Sequence, residues 1–312
     1  MTQAAPSWIS RFWAVVRYEM LWNIRKKMFL GALVIAFVLA TVSLALPAMF
    51  GVEQNPYFAV SFSVGSFAFI IFAIVTGMYS LSGEHEKGTF VPLLTKPVSR
   101  TMVFLGKLFA IFIVILVTYV VLFTYTVVGG IFIYGPQNDL YLAPLTLIGD
   151  ILGTFIWVSI VLAAGALTKN SLIAILTAFG LFMALSIGSG VVAQFSDTPT
   201  ALSLIPGSGA TGTMTITGGQ NMSIANVTIN TLSSVSTGTD SIGVNIVKSI
   251  LYPDANVSFY YRNIFNLTEP PRLLYTEPIT LITARSVVFA LLYIEIFLAV
   301  ALLVFRRWQI HD

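Results

Sequence analysis

Six long apolar segments, separated by short polar breaks, constrain the fold of this chain more than any other feature of its sequence. A helix needs about 20 predominantly apolar residues to cross the hydrocarbon core of a bilayer. The segments cover approximately residues 29–46, 58–79, 108–134, 147–167, 172–194 and 287–305. Only 9% of the residues are charged, against about 25% in soluble domains, so a soluble fold could not bury this much apolar surface. We therefore predict an all-α polytopic membrane protein with six transmembrane helices.

The positions of Lys and Arg give the orientation of these helices, because short cytoplasmic segments carry an excess of both. If the N-terminus lies in the cytoplasm, the inner segments hold 12 of the 16 basic residues, and the two short outer loops hold none. The inner basic residues are Arg11, Arg17, Arg25, Lys26, Lys27, Lys87, Lys96, Arg100, Lys107, Lys169, Arg306 and Arg307. We predict a multi-pass protein of the cell membrane with both termini in the cytoplasm.

The segments divide the chain into four parts. Residues 1–27 precede the first span, 28–194 hold spans one to five with a cytoplasmic loop at 80–107, 195–280 form an outer segment, and 281–312 hold the last span and a basic tail. Apolar residues of the first part recur at helical spacing, at Ile9, Phe12, Trp13, Val16 and Met20. This pattern is typical of a helix that lies in the inner membrane interface. A basic juxtamembrane tail is the alternative.

The outer segment, residues 195–280, is rich in Ser, Thr, Gly and Asn. Residues 213–217 and 224–229 alternate apolar with polar side chains, as strands do. The topology therefore predicts an extracytoplasmic β-rich loop domain between spans five and six. The segment also contains Asn-X-Ser/Thr sequons at Asn221, Asn226, Asn256 and Asn266. These predict glycosylation in a host that glycosylates its surface proteins.

Several kinds of chemistry are excluded by what the sequence lacks. There is no cysteine, and the two histidines, His85 and His311, are too few for a histidine-built metal site. No loop gathers a nucleophile, a base and an orienting acid, so a membrane-embedded enzyme is disfavoured. Neither a Gly-x-x-x-x-Gly-Lys-Ser/Thr nor a Gly-x-Gly-x-x-Gly motif occurs. We predict that the chain binds no metal, cofactor or nucleic acid and cannot hold ATP by itself.

The inner loop at 80–107 is longer than a connection between two spans needs to be. It begins with charged residues, and it carries an apolar patch at Phe90, Val91, Leu93 and Leu94 that no span explains. Such a patch on a cytoplasmic loop indicates a docking surface. Ser99 is placed to cap a helix that enters the third span.

The inner loop and the start of the third span carry an extended sequence pattern. It reads Gly83-Glu84-x-Glu86-x-Gly88-Thr89, then Leu93-Leu94, then Pro97-Val98-Ser99-Arg100, then Gly106-Lys107. This pattern resembles the signature of permease subunits of type-two ABC exporters. Members of that family are also similar in having an interfacial helix before six spans, a tight polar turn after the fourth span, and a short basic tail, here at 305–308. The resemblance does not extend to the outer segment, residues 195–280.

The resemblance implies a function. The loop between spans two and three would supply a coupling helix that contacts a separate ABC ATPase subunit, which would carry ATP and Mg²⁺. The implied coupling residues are Gly83, Glu84, Glu86, Gly88, Thr89, Leu93, Leu94, Pro97 and Arg100. Two permeases would form the translocation path, either as a homodimer or with a related permease, and cargo would leave the cell.

Polar residues within the spans raise a separate question. Glu295 falls near the middle of the last span, where a carboxylate should face protein or water rather than lipid. Glu295 is either a residue of the cargo or proton path or a structural contact between helices, and the sequence leaves both alternatives open. Asp150 and Arg285 both lie at outer span ends, where they could pair or extend to the interface.

A different class of function also remains open. The size of residues 195–280 is compatible with a mechanotransmission or scaffold protein that acts through its ectodomain, driven by an ATPase, without moving cargo. The exporter permease is the leading hypothesis, because the pattern of the inner loop resembles that family.

Overall fold

A computed structural model of the chain describes residues 7–51, 57–63, 66–78, 80–86, 99–195, 204–206, 213–215, 241–261 and 272–308. The described part is dominated by helices. They are α1 (Trp8–Ile24), α2 (Lys27–Met49), α3 (Phe58–Ser61), α4 (Ser66–Gly77), α5 (Ser82–Glu86), α6 (Arg100–Tyr134), α7 (Ala143–Thr168), α8 (Ser171–Phe195), α9 (Ile242–Leu251) and α10 (Ile279–Arg307). A 3₁₀ turn, Leu140–Leu142, precedes α7. Three strands are β1 (Thr213–Thr215), β2 (Asn256–Tyr261) and β3 (Arg272–Pro278).

Five helices of the described part are long and apolar enough to cross a membrane. They are α2, α6, α7 with its preceding 3₁₀ turn, α8 and α10. This confirms a polytopic, mainly helical membrane protein. The five correspond in sequence to the predicted first, third, fourth, fifth and sixth spans.

The predicted second span, residues 58–79, is divided into the short helices α3 and α4. Neither is long enough to span a membrane alone. Backbone groups near the break bind side chains, because a chain inside a membrane must satisfy them within the protein. Thr146 Oγ1 donates to the Val60 carbonyl at 2.9 Å, and the Ala59 N–H donates to Gln137 Oε1 at 3.0 Å. The count of six spans therefore stays a prediction.

Helix α7 forms the centre of the bundle, and α4, α8, α9 and α10 all pack against it. Trp157 is buried on α7 and its ring meets that of Phe182 on α8 edge-on, with centroids 5.4 Å apart. Helix α9 approaches α7 more closely still. A Cβ atom added to Gly149 would overlap the backbone of Gly243, and one added to Gly243 would overlap Thr146. Glycine at both positions is what permits this contact.

The predicted outer segment is thus not confined to a separate β-rich domain. Its helix α9 buries Ile242, Val244 and Val247 in the bundle, and the amphipathic face that they form is what makes this short helix part of the core. The strands form one antiparallel sheet in the order β1-β2-β3. Strand β1 lies within the alternating stretch at 213–217, whereas the stretch at 224–229 lies outside the described residues.

The predicted first helix is present as α1, and it packs along the beginning of α6. Its side chain Glu19 forms an ion pair with Lys107 on α6, with 2.5 Å between Oε1 and Nζ. Both side chains are almost fully buried, at 3% and 2% exposed. Trp8 and Trp13 are half-exposed, which fits a helix that meets lipid headgroups. The ring of Trp13 also meets that of Phe109 on α6 edge-on.

Candidate functional site

The predicted coupling loop is described at its two ends. Helix α5 holds Gly83, Glu84 and Glu86, and α6 begins at Arg100. The predicted coupling residues between them, Gly88, Thr89, Leu93, Leu94 and Pro97, lie outside the described residues. The described part of the candidate site therefore consists of the two ends of the loop and the groups that they contact.

The first end of the loop binds the start of the fifth span. The carboxylate of Glu86 accepts hydrogen bonds from the Ser171 backbone N–H at 2.8 Å and from the Ser171 hydroxyl at 2.6 Å. Ser171 is the first residue of α8, so its N–H has no acceptor within the helix. A carboxylate at this position also lies at the positive end of the helix dipole. The contact joins α5 to α8 at the helix terminus.

The second end of the loop binds the end of the last span. One guanidinium nitrogen of Arg100 donates to the Arg306 carbonyl at 2.9 Å and to the Trp308 carbonyl at 2.6 Å. These carbonyls belong to the C-terminal turn of α10, where the helix leaves them without intrahelical donors and favours a cation. The neighbouring Ser99 accepts the Met102 N–H at 3.2 Å, which confirms the predicted cap of α6.

Trp308 extends this second contact to the fourth span. Its indole N–H donates to the Ala166 carbonyl at 3.0 Å, in the last turn of α7. The side chain is buried against Phe305, with ring centroids 5.3 Å apart, and Lys169 Nζ lies 5.9 Å from the indole. Lys169 follows α7 in a left-handed conformation, with φ of 55°. The indole N–H thereby provides a donor for the Ala166 carbonyl, which lies in the last turn of α7, where carbonyls lack intrahelical donors.

We call the five residues Glu86, Arg100, Ala166, Ser171 and Trp308 the inner clasp. Each hydrogen bond of the clasp joins a side chain to a helix terminus. The clasp connects both ends of the predicted coupling loop to the end of α7, the start of α8 and the end of α10. A displacement of either described end of the loop must therefore break these bonds or move those helices.

A family model for the ABC-2 family transporter protein matches residues 13–309. The chain belongs to this family. The match includes most of α1, the loop at 80–107 and the outer segment, and it confirms the membership that the loop pattern indicated. A comparison with curated proteins found no match. The protein is therefore a multi-pass membrane subunit of an ABC transporter, of the kind that works with an ABC ATPase subunit.

The last part of the family pattern, Gly106-Lys107, has a structural role in this ABC-2 permease. Lys107 forms the buried pair with Glu19, and a Cβ atom on Gly106 would lie 2.8 Å from Cγ1 of Val15. Both residues therefore fix α1 on the start of α6. Glu19 is the only acidic residue among residues 1–27, a signal that could have marked it as the partner of a buried base.

Glu295 and Asn256 lie apart from the clasp. In the single chain, Glu295 lies on the exposed face of α10. Asn256 begins β2, where it is half-buried opposite Pro278 of β3. The other predicted sequons, at Asn221, Asn226 and Asn266, lie outside the described residues.

Asp150 and Arg285 have different partners. Asp150 is fully buried and accepts a hydrogen bond from the Ser63 hydroxyl at 3.0 Å. Arg285 donates to Glu277 of β3 at 2.6 Å. The first contact joins α7 to the break between α3 and α4, and the second joins the start of α10 to the sheet.

Sequence reasoning did not identify Trp308, Ala166 or Ser171 as parts of a site. All three take part through backbone atoms, which any residue type supplies, and only Ser171 and Trp308 add a side-chain bond. One feature of the sequence could have drawn attention to Trp308. It is a tryptophan that directly follows two arginines at the end of the last span. Its partner could not be read from the sequence, since Ala166 is 142 residues away.

Proposed function

We propose that this chain is the permease subunit of an ATP-driven ABC exporter. Two permeases, as a homodimer or with a related permease, form the translocation path in the cell membrane, with the outer segment on the extracytoplasmic side. A separate ABC ATPase carries ATP and Mg²⁺ and contacts the loop at 80–107. The observation that carries this proposal is the inner clasp, because it attaches both ends of that loop to helix termini of the bundle.

The clasp supports coupling for a mechanical reason. A coupling element must pass on displacement without absorbing it, and hydrogen bonds to charged groups are stronger and more directional than neutral ones. Glu86 and Arg100 supply such bonds at opposite ends of the loop. The apolar patch of the loop, which includes Leu93 and Leu94, would supply the surface that enters the ATPase.

The first test is the composition of the complex. A tag on this chain, mild detergent extraction and mass measurement should give two permeases with two ATPase subunits. Replacing Glu84 and Glu86 together by alanine should remove the ATPase. Asp254→Ala, an exposed acid at a turn after α9, is the matched control and should retain it. A particle without any ATPase under several gentle conditions would contradict the proposal.

The scaffold function is distinguished by the outer segment. Because α9 belongs to the bundle, a deletion of that segment must spare it, so residues 216–240 are replaced by a flexible linker. An exporter should still assemble with its ATPase and retain transport-linked ATP hydrolysis. Loss of cellular function with intact assembly and ATP hydrolysis would support the scaffold instead.

Glu295 and the sequons have separate tests. If Glu295 lies on the cargo or proton path, Glu295→Gln should change transport while the ATPase remains bound. Unchanged transport would leave a structural contact with another subunit.

If Asn221, Asn226, Asn256 and Asn266 carry glycans, deglycosylation of the protein from its own host should lower its mass, and an unshifted mass would contradict glycosylation.

A further inference from the structure

The two ends of the coupling loop reach opposite sides of the inner turn between α7 and α8. Glu86, at the first end, bonds directly to Ser171 on the α8 side. Arg100, at the second end, bonds to the carbonyl of Trp308, whose indole bonds to Ala166 on the α7 side. Only residues 167–170 separate the two points of attachment. The turn is therefore held from both sides by one loop.

Trp308 is suited to transmit displacement. Its side chain is 8% exposed, and it is bounded by the ring of Phe305 and by Lys169. A tryptophan has only two side-chain torsions, and a packed indole has few other rotamers that it can enter. A movement of its backbone, where Arg100 binds, is therefore passed to its indole N–H and not absorbed by a change of rotamer.

We infer that Trp308 is a positioning residue that transmits movement of the coupling loop to the helical hairpin formed by α7 and α8. The inference rests on the proposed function, because the movement originates in the partner ATPase. When the loop is displaced, Arg100 acts on Ala166 through Trp308, while Glu86 acts on Ser171. The two ends of the hairpin turn then move together, and α7 carries the movement into the centre of the bundle.

The absence of cysteine from the sequence permits a direct test in the full complex with its ATPase. A fluorophore on Thr101→Cys reports on the second end of the loop, before Trp308. A fluorophore on Leu172→Cys, which is exposed on α8, reports on the hairpin beyond Trp308. The fluorescence change caused by ATP and Mg²⁺ is measured at each label, together with the melting temperature.

Trp308→Phe keeps an aromatic ring and removes the indole N–H. We expect it to retain the ATP-dependent change at residue 101 and to reduce that at residue 172 by about half, since Glu86 still holds the other side of the turn. Adding Glu86→Ala should abolish the change at residue 172. Trp13→Phe, at a half-exposed tryptophan of α1 that lies outside the clasp, is the matched control and should leave both signals unchanged.

The outcomes separate the inference from the proposed function. A full signal at residue 172 in both Trp308→Phe and the double variant would overturn the inference alone. A lower melting temperature with a full signal would also overturn it, because Trp308 would then act only in stability. No ATP-dependent change at residue 101 in the otherwise unchanged chain, or no co-purifying ATPase, would overturn the proposed function.

Discussion

The inner and the predicted outer ends of the bundle are held together in different ways. At the inner end, the charged side chains of Glu86 and Arg100 bind free helix termini. At the outer end, α9 and α7 meet backbone to backbone at Gly149 and Gly243. Hydrogen bonds can be exchanged for new partners when helices shift, whereas close-packed backbones tolerate one arrangement. Under the proposed function, these two kinds of contact suit an inner end that transmits movement and an outer end that resists it.

The largest effect is expected at the buried pair of Glu19 and Lys107, which joins α1 to α6 near the clasp. Replacing Lys107 by Met leaves a buried carboxylate without its cation, and breaking such a pair costs about 3–5 kcal/mol. The melting temperature of the detergent-extracted protein should therefore fall steeply. In the double variant Glu19→Leu and Lys107→Met, most of that loss should be recovered, since no charge is then buried. Equal losses in the single and double variants would show that packing, and not charge, fixes α1.

An intermediate effect is expected at the outer end. Gly243→Ala places a methyl group into the backbone of Thr146, and such overpacking costs about 1–3 kcal/mol. Gly180→Ala is the matched control, because nothing lies within 4 Å of its added Cβ and alanine favours the helix by up to about 1 kcal/mol. The two variants should shift the melting temperature in opposite directions. A stable Gly243→Ala protein would mean that α9 can move away from α7.

The smallest effect is expected at the cap of α6. Ser99→Ala removes the hydroxyl that accepts the Met102 N–H, and loss of such a cap costs about 1 kcal/mol. The variant should lower the melting temperature slightly and leave the ATPase bound. Ser99→Asp keeps an acceptor at the same position and should restore the stability. A loss of the ATPase in Ser99→Ala alone would place Ser99 in the docking surface itself.

The second span shows where sequence reasoning about the fold stopped short. Residues 58–79 are apolar throughout, and so they predicted one helix. Near the break, the Val60 carbonyl accepts a hydrogen bond from Thr146, and at the start of α3 the Ala59 N–H donates to Gln137. Both partners lie in distant parts of the chain, and local hydropathy carries no information about them. For the same reason, hydropathy does not show that α9, within the predicted outer segment, packs its apolar face on α7.

Membrane insertion and family membership follow from the sequence alone, because hydropathy and the loop pattern are properties of neighbouring residues. Which groups complete the site depends on the tertiary structure. Arg100 and Trp308 are joined across 208 residues of the chain, and Trp308 meets Ala166 through a backbone carbonyl. Free carbonyls and N–H groups at helix ends look alike in every sequence, and packing of the helices selects which side chains satisfy them.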